Sequence, residues 1–269
     1  KKVRFVGKVV VDGRKETDTT TLKANELHLS FFDLAEAESS GRRPEDPHPI
    51  VGDAGGAMVK HMRRGDQAIQ SVDAEGDAEF LAENWVNGPG SKLATRVRLV
   101  GPSIRFNNTS EQVRVDGPGN MLVQDEQSKR DAATGHKQPK PEDPMVAFGG
   151  KGDTVFKWQG SLQLNAFHND MILTDKVQMF HRPPGETHVL ELRCRLFKAN
   201  LEPSGGLNAW LDQHGPQPRI MAVTADDQVL VRHGETTVVT DHLKYHGKAA
   251  DEKPQTLELF AERGRMTRI

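Results

Sequence analysis

Hydrophobic and polar residues alternate with a period of two along four stretches of the chain. This period is typical of a β-strand that buries one face. A Gly or Asp stands in the middle of each stretch, where a bulge or bend is tolerated. The pattern therefore predicts four strands of one type. Their alternating positions are Val3, Phe5, Gly7, Val9 and Val11; Val72, Ala74, Gly76, Ala78 and Phe80; Met171, Leu173, Asp175, Val177 and Met179; and Val223, Ala225, Asp227, Val229 and Val231.

A second pattern follows each of these strands. An apolar residue is followed two places on by a small residue, and then by apolar residues three and five places further. One extra residue in a strand would produce this step of three, so we expect a bulge or bend between two short strands. The small residue indicates a crowded position, where Cys194 would be a packed thiol. The copies are Leu22, Ala24, Leu27 and Leu29; Leu99, Gly101, Ile104 and Phe106; Leu192, Cys194, Phe197 and Ala199; and Val238, Thr240, Leu243 and Tyr245.

A basic residue lies between the last two apolar positions of every copy and is expected to point to solvent. These residues are His28, Arg105, Lys198 and Lys244. Further strands of the first type are expected in FKWQGSLQL, from Phe156, and in VRVDGPGNMLV, from Val113. In the latter, the segment Gly117 to Gly119 would interrupt the alternation.

The repeats predict an all-β, antiparallel protein built from strand pairs that begin near residues 3, 72, 171 and 223. Three stretches, 33–70, 124–154 and 202–219, are rich in charge, Gly or Pro and fall outside the pattern. Because the same repeat type flanks each stretch, we expect surface insertions within one elongated domain over residues 1–269.

Charge and cysteine content exclude several classes of function. Lys and Arg number 36 against 38 Asp and Glu, and this balance gives no footprint for nucleic acid or a polybasic membrane anchor. Cys194 is the only cysteine, which excludes an intramolecular disulfide and a multi-cysteine zinc site. KKVRFVGKVV lacks the apolar core of a signal peptide, so we expect any signal or anchor to lie upstream of residue 1.

The search for catalytic or metal-binding groups yields no site. The i, i+4 spacing of His242 and His246 brings two ligands together only on a helix, whereas these residues fall where a strand runs into a turn. The chain contains no G-x-S-x-G, H-E-x-x-H or P-loop motif. We therefore predict no enzymatic activity, no cofactor and no metal. Two further pairs of potential ligands stand close together in the sequence, His168 with Asp170 and His181 with His188.

Four segments carry a resemblance to a known family: TTLKANELHLSF (20–31), DAEGDAEF (73–80), TADDQVLV (224–231) and TTVVTDHLKYHG (236–247). Their form, A-x-G-x-V-x-F followed by a turn and L-x-A-x-x-L-x-Y, resembles the OstA-like repeat of the LptA family of lipopolysaccharide-transport domains. The resemblance implies an open, V-shaped β-jellyroll in the periplasm or cell envelope. It also implies head-to-tail strand augmentation, with copies of itself or with related envelope proteins, at unpaired sheet edges.

In that family an apolar trough binds the acyl chains of lipopolysaccharide or a related lipid. An alternative is an interaction or carbohydrate-binding scaffold, in which a closed β-sandwich core is filled by its own side chains. The two hypotheses differ in whether the interior is open to solvent. The resemblance assigns the trough lining to Val9, Val11, Leu22, Leu27, Leu29, Leu99, Ile104, Phe106, Val177, Val229, Val231 and Leu243.

Overall fold

The computed structural model describes residues 1–15, 17–33, 67–126, 152–165, 168–201, 220–247 and 256–261. These residues form thirteen β-strands. Within these ranges no helix is long and apolar enough to cross a membrane. The strands are β1 (Lys2–Lys15), β2 (Asp18–Asp33), β3 (Gln67–Trp85), β4 (Leu93–Asn107), β5 (Gln112–Asp116), β6 (Gly119–Asp125), β7 (Asp153–Trp158), β8 (Ser161–Asn165), β9 (Asp170–Arg182), β10 (Leu190–Leu201), β11 (Ile220–His233), β12 (Thr236–His246) and β13 (Thr256–Phe260).

All thirteen strands belong to one sheet, and every pair of neighbouring strands is antiparallel. The sheet begins at β1 and ends at β13, which do not pair with each other. The prediction of an all-β, antiparallel fold is therefore confirmed.

The four predicted strand pairs are β1 with β2, β3 with β4, β9 with β10, and β11 with β12. A fifth pair of the same form lies between them. One member of this pair consists of β5 and β6, which both pair with β4. The other member consists of β7 and β8, which both pair with β9. Between the two members, β5 pairs with β8 and β6 pairs with β7. FKWQGSLQL is the returning member of this fifth pair, and its predicted alternation is confirmed, because Phe156, Trp158, Leu162 and Leu164 are all buried. Gly117–Pro118 and Gln159–Gly160 interrupt the pair and divide it into four short strands.

The long strands bend near their middle, where the register of their pairing shifts. Gly7 and Gly76 have φ of 112° and 75°, and Asp175 and Asp227 have φ of 61° and 67°. Glycine adopts this left-handed conformation without a steric penalty, and Asp tolerates it better than most other residues do. Lys176 and Gln228, which follow the two Asp residues, are left-handed as well. The two glycines and the two Asp residues are the central positions of the four alternating sets, so the predicted bends are confirmed.

The bends divide the sheet into two half-sheets. In the first half-sheet β4 and β9 pair with β5 and β8, and in the second they pair with β6 and β7. The inner faces of the two halves contact each other. The ring centroids of Phe80 and Phe106 lie 5.4 Å apart, and those of Phe156 and Phe197 lie 5.7 Å apart. The sheet therefore folds upon itself around one apolar core.

The outer face carries charged residues that pair across neighbouring strands. Arg96 lies 2.7 Å from Glu83, and Arg98 lies 2.6 Å from Glu79. Each such exposed pair contributes about 0–1 kcal/mol. Of the predicted solvent-facing basic residues, only His28 is half-buried, because it contacts Glu26. The other three, Arg105, Lys198 and Lys244, are exposed as predicted.

The small residue of the second pattern lies in a crowded place, as predicted. A Cβ atom added to Gly101 would lie 2.3 Å from Cγ1 of Val115. Cys194 takes the same place in its own strand and is only 5% exposed. Burial, together with the charge of Asp226, raises the pKa of the Cys194 thiol to about 12. The prediction of a packed thiol is confirmed.

Residues 34–66, 127–151 and 202–219 lie outside the described residues, and with them most of the predicted insertions. The first two insertions are narrower than predicted, because β3 begins at Gln67, β6 continues to Asp125 and β7 begins at Asp153.

Replacement of Gly101 by Ala is expected to lower the free energy of unfolding by about 1–3 kcal/mol, because the new methyl group collides with the Val115 side chain. The cost should largely disappear in a Val115→Ala background, where the colliding atom is absent. Urea denaturation of both single variants and the double variant measures this coupling. Equal costs in the two backgrounds would contradict the proposed clash.

Candidate functional site at the open end of the sheet

Most of the residues assigned to the trough lie in the packed core. Ten of the twelve are at most 7% exposed, and they contact each other across the two half-sheets. In this conformation they have almost no surface available to a ligand. They are Leu22, Leu27, Leu29, Leu99, Ile104, Phe106, Val177, Val229, Val231 and Leu243.

Strand β1 differs from the strands in the middle of the sheet. Val3 and Phe5 lie opposite the buried residues Leu29 and Leu27. Directly opposed residues of an antiparallel pair share one face of the sheet, so Val3 and Phe5 belong to the inner face. They are nevertheless 41% and 45% exposed.

Val9 and Val11 continue the same face beyond the bend of β1 and are half-buried. Together with Val3 and Phe5 they form a partly exposed apolar stretch of the inner face at the β1 end of the sheet, which we call the mouth. The mouth exists because the sheet ends at β1, and among the described residues no strand continues its inner face. Of the assigned lining residues, Val9 and Val11 are therefore the two placed at an accessible surface.

Val3 and Phe5 were not among the residues assigned to the trough, although both stand in the first alternating set. The available signal was their place in the first strand of an open sheet. An inner-face residue is covered only when neighbours lie on both sides of its strand, and a terminal strand has a neighbour on one side.

The free edge of β1 is a second feature of this end. In the described part of the chain β1 pairs only with β2, over almost its whole length of 14 residues. Val6 and Val10, on the outer face, are 71% and 55% exposed. A long edge strand with exposed apolar side chains is a template for pairing with another strand.

Positive charge is concentrated on the same strand. Within KKVRFVGKVVVDGRK (1–15) six Lys and Arg residues stand against the single acid Asp12, whereas the whole chain has a net charge of -2. Arg4 pairs with Glu26, and this hydrogen bond holds the pKa of the Glu26 carboxyl below its usual value. Lys2 and Lys8 are exposed on the same strand.

A groove of about 560 Å³ lies at the bend of β1, β2 and β3. Val6, Lys8, Asn25, Glu26 and Glu75 contribute to its walls. Val6 and Glu75 are the residues opposite Glu26 on the two neighbouring strands, so all three point to the outer face, away from the mouth. The groove is lined by both positive and negative side chains, so it does not favour either anions or cations.

The histidines are dispersed over the fold. In the described segments no group of three or more His, Cys, Asp or Glu residues is placed to hold a metal ion. The rings of His188 and His233 lie 6.2 Å apart, and Nδ1 of His242 lies 2.9 Å from Oδ1 of Asp226. His246 lies on the same strand as His242, and His168 lies in a turn.

His181 is the most deeply buried of them, at 2% exposure. Its Nδ1 shares a 2.8 Å hydrogen bond with Oγ1 of Thr154, and Nε2 has no hydrogen-bond partner in the structure. Burial lowers the pKa of His181 to about 4, against the smaller opposing influence of the Asp153 charge. His181 is therefore neutral at pH 7 and part of the core.

The chain matches no protein-family model, and no curated protein is significantly similar to it. The mouth and the free edge of β1 are therefore the features from which a function can be inferred.

The free energy of unfolding is expected to fall by about 3 kcal/mol between pH 6.5 and pH 4 because of His181. In the unfolded chain this side chain takes up a proton below its ordinary pKa of 6.5, whereas in the folded chain it does so only near pH 4. Protons therefore favour the unfolded chain in this window. Urea denaturation at several pH values should show a weaker pH dependence for His181→Gln; an unchanged dependence would contradict the assignment.

Proposed function

We propose that this chain is a non-enzymatic protein of the periplasm or cell envelope that binds acyl chains of lipopolysaccharide or a related lipid. In this proposal the ligand enters at the mouth, and the free edge of β1 joins the sheet to a partner. The protein thus bridges or transports lipid. The observation that carries the proposal is the exposure of Val3 and Phe5 on an otherwise buried inner face.

The arrangement of the strands supports an open β-jellyroll of the OstA-like type. The segments that carry the resemblance lie on β2, β3, β11 and β12, each beside a bend or across it. In this fold, repeated strand pairs form two facing half-sheets, and the space between them ends at the sheet edge. The mouth is such an end.

The mouth suits the end of an acyl chain because its walls are apolar. Each Å² of apolar surface removed from water contributes about 25 cal/mol, so contact with even a few methylene groups supplies several kcal/mol. A ligand held here would cover Val3 and Phe5, which no described residue covers fully.

The positively charged side chains of β1 favour a ligand whose polar part is anionic. Lys2, Arg4 and Lys8 lie on the strand that forms the mouth. Lys and Arg form charge-assisted hydrogen bonds with phosphate groups, which are stronger than those between neutral groups. An anionic amphiphile could therefore place its acyl chain in the mouth and its phosphate beside β1.

The packed interior limits how far a ligand can enter. Leu22, Ile104 and Leu243 are at most 1% exposed, so a ligand beyond the mouth would require the half-sheets to separate. The same observation favours the second candidate, an interaction scaffold with a closed core. In that case the mouth and the β1 edge would dock a partner strand without lipid.

Partner binding by strand addition is the second part of the proposal. A strand added to β1 would form main-chain hydrogen bonds along the free edge, and its apolar side chains would cover the mouth. Both the protein itself and related envelope proteins are possible partners, because the edge provides backbone groups that any strand can use.

Replacement of Phe5 by Asp is expected to weaken the binding of a fluorescent fatty acid by about tenfold or more, corresponding to roughly 1.4 kcal/mol. The new carboxylate lies on the apolar inner face and repels both the acyl chain and an anionic headgroup. Because Phe5 is already 45% exposed, the thermal midpoint should change little. Core variants such as Leu27→Asp would instead unfold the protein.

The matched control is Val6→Asp, on the outer face of the same strand and 71% exposed. It introduces the same charge one residue away and should leave fatty-acid affinity within about twofold. Native mass spectrometry should show retained lipid in the wild type. Absence of binding by the wild type, or equal losses in the two variants, would exclude a lipid site at the mouth and leave the scaffold.

A further inference from the structure

The two ends of the sheet are not alike. β1 spans both half-sheets at one end, whereas β13 at the other end pairs with β12 only along His242–His246, in the first half-sheet. In the described residues nothing pairs with the outer edge of Thr236–Val239, in the second half-sheet. Among the described residues, β13 therefore covers the edge of β12 in the first half-sheet only.

β13 occupies the position of the first half of a repeat strand. Its inner-face residues Leu257 and Leu259 lie opposite Tyr245 and Leu243. On the other side of β12, the same two residues lie opposite Val223 and Ala225 of β11. β13 and β11 thus present equivalent apolar residues to the two edges of β12, and they run in the same direction.

Val223 and Ala225 correspond in the repeat to Val3 and Phe5. TLELF (256–260) therefore offers β12 the pattern that KVRFV (2–6) of β1 carries: two apolar residues on the inner face, separated by one outward residue. TLELF and the first half of β1 thus share this pattern of inner-face and outer-face residues.

A complete β1 would fit the edge of β12 along its whole length. At the pairings of β2 with β3 and of β10 with β11, the later strand crosses the bend through left-handed residues, Gly76 and Asp227. Gly7 has the same conformation in β1. A pairing of β12 with β1 from a second molecule would repeat this arrangement. β13 occupies the part of the β12 edge that the first half of this β1 would use.

We propose that β13 is an intramolecular substitute for the first half of a second molecule's β1. While it is docked, it closes the C-terminal edge of the sheet to another copy of the chain. Its release opens a docking site for β1 of that copy. The inference rests on the strand pairing at β1 that forms part of the proposed function.

The contacts of β13 fit a strand that can be displaced. Leu257 and Phe260 remain 37% and 45% exposed, and Leu259 alone of its side chains is half-buried against the core. Thr240 donates a 2.8 Å hydrogen bond from Oγ1 to the carbonyl oxygen of Phe260. A second molecule's β1 would offer more pairing, along Thr236–Val239 as well.

Two effects favour β13 over a second molecule. It is tethered to β12 in the same chain, which gives it a high effective concentration. Glu258 also lies opposite Lys244, where β1 would place Arg4. Opposite charges across a strand pair stabilise it and like charges destabilise it. The chain should therefore be monomeric until β13 is released.

The test compares a locked and a released form of the full chain. Lys244→Cys with Glu258→Cys places two cysteines directly opposite each other on the outer face, where a disulfide would fix β13 to β12. Cys194 is buried and does not compete for oxidation. Leu257→Asn with Leu259→Asn removes the inner-face contacts of β13 without adding charge. The probe is a labelled peptide of residues 1–15, and its binding is followed by fluorescence anisotropy.

We expect the released variant to bind the peptide at least tenfold more tightly than the wild type, and the oxidised, locked variant not to bind it. Reduction of the disulfide should restore wild-type binding, which provides a second readout if the released variant folds poorly. A peptide with Phe5→Asp controls for non-specific attraction. Equal binding to the locked and released forms, or binding to neither, would overturn the proposal.

Sedimentation of the released variant separates this inference from the proposed function. Head-to-tail oligomers, lost again when Phe5→Asp is added, support both. If the released variant binds the peptide but stays monomeric, β13 does not block a second copy of the chain, and the inference is overturned. The lipid site of the proposed function is tested separately by fatty-acid binding to the wild type and survives that outcome.

Discussion

The fold depends on a line of backbone bends that crosses the sheet from β1 to β12. A sheet with one apolar face must cover that face, and here it does so by folding one half onto the other. Residues that tolerate a left-handed conformation, such as Gly76 and Asp227, stand at the bend in the first strand of four pairs. Side chains on both sides of the bends, including Phe80 and Phe106, then meet in one core.

The same constraint explains why the candidate functional features lie at the end of the sheet. In the middle of the described sheet the inner-face residues have strands on both sides and a facing half-sheet, and they are buried. At β1 one neighbour is missing, and Val3 and Phe5 are left partly uncovered beside a free backbone edge. The proposed lipid binding and the proposed strand pairing would therefore use the same surface.

Structural features that depend on the local order of residues were predicted from the sequence. Features that depend on the position of a strand within the sheet were not. Alternation and the step around Gly101 are local properties, and both were interpreted correctly. The exposure of Phe5 depends on its strand being terminal, which no local pattern records. Strands β5 to β8 were not recognised as a pair because Gly117–Pro118 cuts the alternation. His181 continues the inner face of β9, but its polarity concealed the pattern.

The order of the strands along the sheet follows their order along the chain, apart from the local fork at β5 to β8. Each strand pair consequently interacts mainly with the pair before it and the pair after it, as units do in solenoid proteins. Stability in such proteins is approximately a sum of unit and nearest-neighbour terms, and folding can nucleate in one unit and propagate. The chain should accordingly fray from its terminal strands inward, while hydrogen exchange is slowest at its centre.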